Sequence, residues 1–261
     1  MELDVMKKKN RKFMLFWIAL IGITGFFMVI TKYDPIKSFT SIPKAIVWTL
    51  TNFYPNSNSI EKLPSILSKL KETIFLSIAA TTTASAFALL FGLFGSKTTK
   101  INNLLGVLSR TIASIFRNIP IVAWAMILLF SFGQNALTGY FALFFVTFGF
   151  LTRAFIETID EASYESVEAL RATGATYFQI VFQGVIPSSI PQIISWVLFM
   201  TETNIRSSTL VGILTGTGVG FVFNIYYKSM DYNSASLVVI SIILTVFAIE
   251  ITSNYIRRVI L

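Results

Sequence analysis

Residues 151–187 read LTRAFIETIDEASYESVEALRATGATYFQIVFQGVIP, and the reading of this stretch decides the architecture. Glu157, Asp160, Glu161, Glu165 and Glu168 lie close together between two long apolar runs. A segment this acidic cannot cross a bilayer cheaply, so it belongs in water, on the cytoplasmic side. Glu157, Glu161, Glu165 and Glu168 are spaced four, four and three apart, which predicts one helical face. Runs of that kind are usually just solvated faces. The residues beyond them are more specific: Glu168-Ala169-Leu170, then Gly174, then Ile186-Pro187. A helix containing Ala, a Gly able to turn sharply and a second short helix ended by Pro predict a compact protruding hairpin. Such a hairpin, set between two spans, suits the transmission of force from a partner.

Outward from this point the chain alternates between apolar spans and short polar breaks. Downstream, a fifth span runs from Ile186 to about Arg206, and a Gly- and Thr-rich segment, Ser207 to Phe223, is too broken to be a simple span. A sixth span, Ser234 to Tyr255, stops at Arg257-Arg258. Upstream, Ala136 to Ile156 is the fourth span. Leu104 to Phe132 is about 43 Å long if wholly helical, more than the ~30 Å hydrocarbon core. Arg110 and Arg117 are therefore expected near the cytoplasmic face, with Pro120 kinking or beginning the embedded part. Thr73 to Phe94, rich in Ala and Thr, is the second span, followed by a cytoplasmic turn at Lys97 and Lys100.

The first span, Phe13 to Thr31, carries no charge and follows the basic residues Lys7, Lys8, Lys9, Arg11 and Lys12. No small-residue cleavage site comes after it, so it reads as an uncleaved helix entering from a cytoplasmic N-terminus, residues 1–12. Residues 32–70, with four prolines, form the sizeable outside segment, although their lysines run against the positive-inside rule. Residues 73–256 make up the core. The expected fold is all-α and polytopic, with about six transmembrane helices and both termini cytoplasmic.

Composition agrees. Of 261 residues, 54% are hydrophobic and only 13% charged, with a mean hydropathy of +0.70. A soluble domain carries about 25% charge. Cys and His are both absent, which removes disulfides, thiolate chemistry and the commonest metal ligands, so no metal and no cofactor are expected. The net charge of +8 is spread around apolar segments rather than gathered on one stripe, which argues for membrane orientation and against nucleic acid. Gly95-Ser96-Lys97-Thr98 resembles a phosphate loop, but Gly and Lys are not adjacent and Leu90 occupies the place of the first Gly. Gly216-Thr217-Gly218-Val219-Gly220 fails the dinucleotide pattern and reads instead as flexible backbone in a membrane gate. An ATPase site within this chain is not expected.

Glu168-Ala169-Leu170-x3-Gly174-x9-Gly184-x-Ile186-Pro187 resembles the EAA loop of permease subunits in binding-protein-dependent ABC importers. The family pattern is E-A-A, three residues, G, nine residues, I-x-L-P. It is matched at Glu168, Ala169, Gly174 and Pro187, while Leu170 stands for Ala, Gly184 for Ile and Ile186 for Leu. The resemblance implies a type I importer permease architecture. Residues 158–187, with Glu165, Glu168, Ala169, Leu170, Gly174 and Pro187, would dock into a groove on the ATPase subunit. Asn204-Ile205-Arg206-Ser207-Ser208-Thr209-Leu210-Val211-Gly212, Gly218-x-Gly220-Phe221 and Arg117-Asn118-Ile119-Pro120 are similar to phosphonate-transport permeases. That similarity spans roughly residues 104–256. It implies a homodimer in a bacterial plasma membrane, two ATP-binding cassette subunits, an extracytoplasmic substrate-binding protein, and a phosphonate or related phosphorus oxyanion as cargo. Thr217 departs from it, standing where such permeases more often have Gly or Ala.

Glu202 and Arg206 lie four apart at the outer end of the fifth span. One reading is an ion pair at the membrane interface. The other is a cation facing a water-filled path, which escapes the roughly 2.5–3.5 kcal/mol cost of Arg in hydrocarbon. On the second reading Glu202, Asn204, Arg206, Gly212, Gly218 and Gly220 line the translocation path. The same architecture importing an amino acid such as methionine is the nearest alternative. An ion-driven secondary transporter would show paired repeats, and a membrane enzyme would need clustered His, Asp or Cys at membrane depth. Neither feature is present in the sequence.

Overall fold

The computed structural model describes residues 2–162 and 164–260, and these are helical without strands. They divide into two compact units between Phe53 and Tyr54.

The first unit holds α1 (Glu2–Ile30) and α2 (Pro35–Asn52). The apolar part of α1, Lys9–Ile30, is long enough to cross a membrane, and α1 itself extends back through the basic stretch. Asp34 caps α2 by accepting a 3.0 Å hydrogen bond from the Lys37 amide, and Pro35 supplies a first-turn residue whose missing N–H costs nothing there.

The second unit is a bundle. It comprises α3 (Ser57–Ile60), α4 (Leu63–Gly95), α5 (Asn103–Asn118), α6 (Ile121–Phe132), α7 (Ala136–Ala162), α8 (Tyr164–Ala172), α9 (Tyr177–Gln179), a π-helical turn (Ile180–Val185), α10 (Ile186–Thr215), α11 (Gly218–Lys228) and α12 (Tyr232–Ile260). Among the described residues five helices are long and apolar enough to span, and the α5–α6 pair makes a sixth if its two halves count as one. The central axis is α4 against α7. Ala80, Ala84, Ala88 and Gly92 recur every fourth residue along α4 and are buried, and Phe148, Leu151 and Phe155 of α7 pack against Ala84 and Ala88. Small residues on one side and large on the other bring the helices close, which is how dispersion replaces the hydrophobic effect in lipid.

The helices adjust three expectations. α4 already begins at Leu63 with Pro64 in its first turn, so residues 63–70, expected as part of the outside segment, are continuous with the helix of the second span. The long third segment breaks at Pro120, where a kink or the start of the embedded part is expected, with α5 and α6 meeting at a 90° bend at Ile119-Pro120. Proline removes a donor and restricts the preceding residue, so the helix ends there rather than merely kinking. Arg117 lies just before this bend. Its backbone presses on Gly149, near the middle of α7, and its guanidinium lies 5.7 Å over the Phe150 ring. Arg110 instead reaches the end of α4, donating from Nε to the Gly95 carbonyl at 2.7 Å.

The third correction is the largest. The fifth span does not stop near Arg206: α10 runs unbroken for 30 residues to Thr215, with Pro187 in its first turn and Pro191 tolerated inside. At the far end of the bundle Lys62 bonds Asp231 at 2.5 Å and Ser234 at 3.0 Å, and its ammonium stands 4.8 Å from the Tyr226 ring. Burial pushes the Asp231 carboxyl up, but the hydrogen bonds from Lys62 and Ser234 and the Lys62 charge outweigh it and leave the group below its ordinary value.

Candidate functional site

The sequence points to two sites, and the structure builds each from neighbouring elements. The first is the hairpin after α7. Glu157 and Glu161 belong to α7, and Glu165 and Glu168 to α8, all exposed. Gly174 comes after α8 with φ +79°, and its amide closes the turn on the Arg171 carbonyl at 3.0 Å. Thr176 and Gln179 then form a capping box, the Gln179 side chain accepting from the Thr176 amide at 2.8 Å. Val167 of α8, Ile159 of α7 and Ile180 and Val185 of the π-helical turn form a small buried core under the hairpin. Ala169 and Pro187 are exposed. Pro187 does not end a helix, as expected, but starts one, since α10 grows directly out of the π-helical turn.

The departures from the loop pattern explain one another. A Cβ on Gly184 would stand 2.8 Å from Leu170 Cδ1. Leu has replaced a small residue at 170 and Gly a large one at 184, so the volume moved across the contact and the packing survived. Gly184→Ile alone is expected to destabilise the solubilised protein in a thermal melt, and Leu170→Ala combined with Gly184→Ile to recover most of the loss.

Asp160 looks in the sequence like one more solvated acid, yet it ties the hairpin to the α4–α5 loop. Its Oδ1 accepts from Ser96 Oγ at 2.5 Å, Thr98 Oγ1 at 3.0 Å and the Thr98 amide at 3.1 Å. Arg171 of α8 donates to the Thr98 carbonyl at 2.7 Å. A cavity of about 330 Å³ lies between, lined by residues that include Lys97, Asp160, Glu168 and Arg171. The Thr98 amide, turned toward a carboxylate, cannot cradle a phosphate as well, consistent with rejection of the phosphate-loop reading. The α4 end and the hairpin are thus held together by hydrogen bonds from both Asp160 and Arg171. If the hairpin is the ATPase contact that the loop resemblance implies, Gly174→Val is expected to leave ATPase activity unresponsive to substrate or to block assembly. Nothing lies within 4 Å of a Cβ there, so the cost is the left-handed backbone itself.

The second site lies along α10. Asn204 is buried, and its amide donates to Thr81 Oγ1 of α4 at 2.8 Å and Thr147 Oγ1 of α7 at 2.7 Å. Three helices are thus tied near their middles. Glu202, just before it on the same helix, has its carboxylate 10% exposed and accepts from Arg206, whose side chain is 52% exposed. Its other oxygen faces Arg257 Nη2 of α12 at 3.5 Å. In the sequence Arg257 shows only the character of a membrane stop. Its pairing leaves no sequence signal, because the contact joins positions on two different helices, 55 residues apart. Its Nε is buried without a hydrogen-bond partner among the described residues. Glu202, Asn204 and Arg206 therefore lie in the interior of α10, not at its outer end, with the Glu202–Arg206 pair turned toward α12 and Asn204, on the other side of the helix, toward α4 and α7.

Gly212 and Gly220 sit in a close helix–helix contact. A Cβ on Gly212 would stand 2.4 Å from the Thr217 carbonyl oxygen, and one on Gly220 1.9 Å from that of Thr209. Here α10 and α11 touch backbone to backbone. Gly218 starts α11, where the Val219 amide donates to Thr73 Oγ1 at 2.9 Å.

Residues 84–260, more than half of the chain, match the profile of the binding-protein-dependent transport system inner membrane component. The chain belongs to that family. This transport-family chain is similar to a phosphate-import permease, PhnE, of Mycolicibacterium smegmatis, 24% identical over 92% of this chain. It spans only 46% of that relative's length. It is also similar to a phosphite transport permease, PtxC, of Stutzerimonas stutzeri, with 28% identity over 72% of this chain and 68% of the relative. A cryptic phosphonate transport permease, PhnE2, of Escherichia coli is 31% identical over 45% of this chain and 96% of its own length. Among solved structures, an inward-facing MetNI methionine ABC transporter superposes with a TM-score of 0.62 at 20% identity, over 76% of this chain and 98% of that one. An amino acid ABC transporter crystallised with histidines gives 0.65 at 16% identity, over 76% and 95%. At those identities the likeness is one of fold. The permease is thus a multi-pass membrane component of an importer.

Proposed function

We propose that this permease forms the path for a phosphonate or a related phosphorus oxyanion, delivered by an extracytoplasmic binding protein and driven by separate ATP-binding cassette subunits. The observation that carries this reading is the Glu202–Arg206 pair in the interior of α10, with Arg257 of α12 beside it. Arg206 holds a half-exposed guanidinium on a helix whose neighbouring residue Asn204 is level with the middles of α4 and α7. A charge at that depth faces water or protein, not lipid. Its surroundings are cationic on balance, two guanidiniums sharing one carboxylate, which suits an anion and not a zwitterionic amino acid. The relatives named for phosphate, phosphite and phosphonate support the same cargo class. The methionine and amino acid structures keep the alternative cargo in view through fold alone.

In this reading two copies pair about a two-fold axis with the path between them. Each hairpin, through Glu165, Glu168, Ala169 and Leu170, meets an ATPase subunit, and nucleotide-driven closure draws the hairpins together. Uptake of methylphosphonate and phosphite by reconstituted vesicles carrying the permease, its ATPase and its binding protein tests the cargo. Methionine uptake in place of both would overturn it. Orientation has its own test, both termini being placed in the cytoplasm. A cysteine at exposed Ser57 is expected to label from outside, and one at exposed Lys100 from inside. The reverse pattern would invert the topology.

A further inference from the structure

Helix α2 lies before the region that the family profile covers, and the translocation reading gives it no task. No residue of it is buried. Ile36, Phe39, Pro43, Ile46 and Leu50 succeed one another at spacings of three, four, three and four, which places them on one face. Ile36 is 77% exposed, Phe39 72% and Leu50 73%. Lys37, Ser41 and Lys44, at spacings of four and three, occupy the opposite side, with Trp48 one turn further along it. The segment Pro35–Asn52 contains no Asp or Glu. The capping by Asp34 and the first-turn Pro35 start this helix sharply, so it is a built element and not the frayed end of α1.

The occupant of the apolar face is decided by where the chain puts it. The apolar part of α1 ends at Ile30 and α2 begins at Pro35, so four residues separate this face from the membrane surface at which α1 emerges. Those four residues reach at most about 14 Å, which holds the first turn of α2 within the headgroup layer or just above it. A helix with a broad apolar face and a lysine-bearing opposite face is the kind that lies in the plane of the interface. We propose that α2 is an in-plane helix seated in the lipid headgroup layer at the end of α1, with Ile36, Phe39, Ile46 and Leu50 in the acyl boundary and Lys37 and Lys44 in water or against lipid phosphates. Its occupant is the bilayer itself.

The chain contains no cysteine, so single cysteines can be placed in the otherwise native protein. Nitroxides attached at Phe39, Ile46 or Leu50, and at Lys37, Ser41 or Lys44, would be measured in the full chain reconstituted in phospholipid nanodiscs. The first three are expected to collide with oxygen severalfold more than with a water-soluble nickel chelate, and the second three to reverse that ratio. Ile46→Asp together with Leu50→Asp is expected to raise nickel access at Phe39 severalfold, while uptake activity reports that the bundle still folds. Equal nickel access at all six sites would overturn the proposal by placing α2 in water. Protection of the apolar face without any quenching by doxyl-labelled lipids would overturn it in favour of protein packing. Protection seen only after the binding protein is added would overturn it in favour of a docking surface.

Discussion

Arg206→Ala is expected to lower phosphonate uptake by at least about tenfold in reconstituted vesicles, a change of ~1.4 kcal/mol, while membrane insertion and ATPase binding persist. The first half rests on charge. A pair at 4 Å gains ~1 kcal/mol in water and ~4 kcal/mol at intermediate dielectric, so one guanidinium can decide whether an oxyanion enters. The second half rests on the structure. Removing Arg206 does not strand the Glu202 carboxylate, because Arg257 still faces it at 3.5 Å. An uncompensated buried charge, the usual reason for misfolding after such a change, is avoided. Arg206→Lys is expected to keep part of the uptake, since the charge remains and only the planar fork is lost. Normal uptake by Arg206→Ala would leave Arg206 as half of an ion pair within α10 and remove it from the path.

The second large effect concerns stability. Gly220→Ala would place a methyl carbon where the Thr209 carbonyl oxygen stands, with the Thr209 carbonyl carbon 2.8 Å away. Neither is the end of a flexible side chain, so α10 and α11 must part. Overpacking a well-filled contact costs about 1–3 kcal/mol and more when backbone has to move. The solubilised protein is expected to melt several degrees lower, whereas Gly25→Ala, with nothing within 4 Å of its Cβ, is expected to melt as the parent does. Equal melting of the two variants would show that α10 and α11 can separate without cost.

The spans are legible in the sequence because length and uninterrupted apolarity are sufficient to mark them. The hairpin is legible because Glu168, Gly174 and Pro187 keep a recognisable spacing. The features that sequence reasoning misses have physical causes. Hydropathy drops at Glu202 and Arg206, which suggests the end of a span. The charges satisfy each other within one turn, so α10 continues past them to Thr215. The Gly-rich run suggests freedom, because spacing along the chain does not reveal a carbonyl approaching from another helix. Arg257 and Asp160 are invisible as partners for the same reason, their contacts being made at distances of 55 and more than 60 residues.

The amide of Asn204 also bears on how such a chain enters the bilayer. Thr81 donates its own hydroxyl proton to the Ser77 carbonyl one turn back, at 2.8 Å, and offers only a lone pair outward. As α4 leaves the translocon, that hydroxyl is therefore already satisfied and can meet lipid at little cost. Asn204 has no such local refuge, for both of the hydrogen bonds described for its amide go to other helices. The helix made last of the three is the one that cannot rest alone in hydrocarbon. Its need for acceptors on two earlier helices, Thr81 of α4 and Thr147 of α7, sets the order of docking by the order of synthesis.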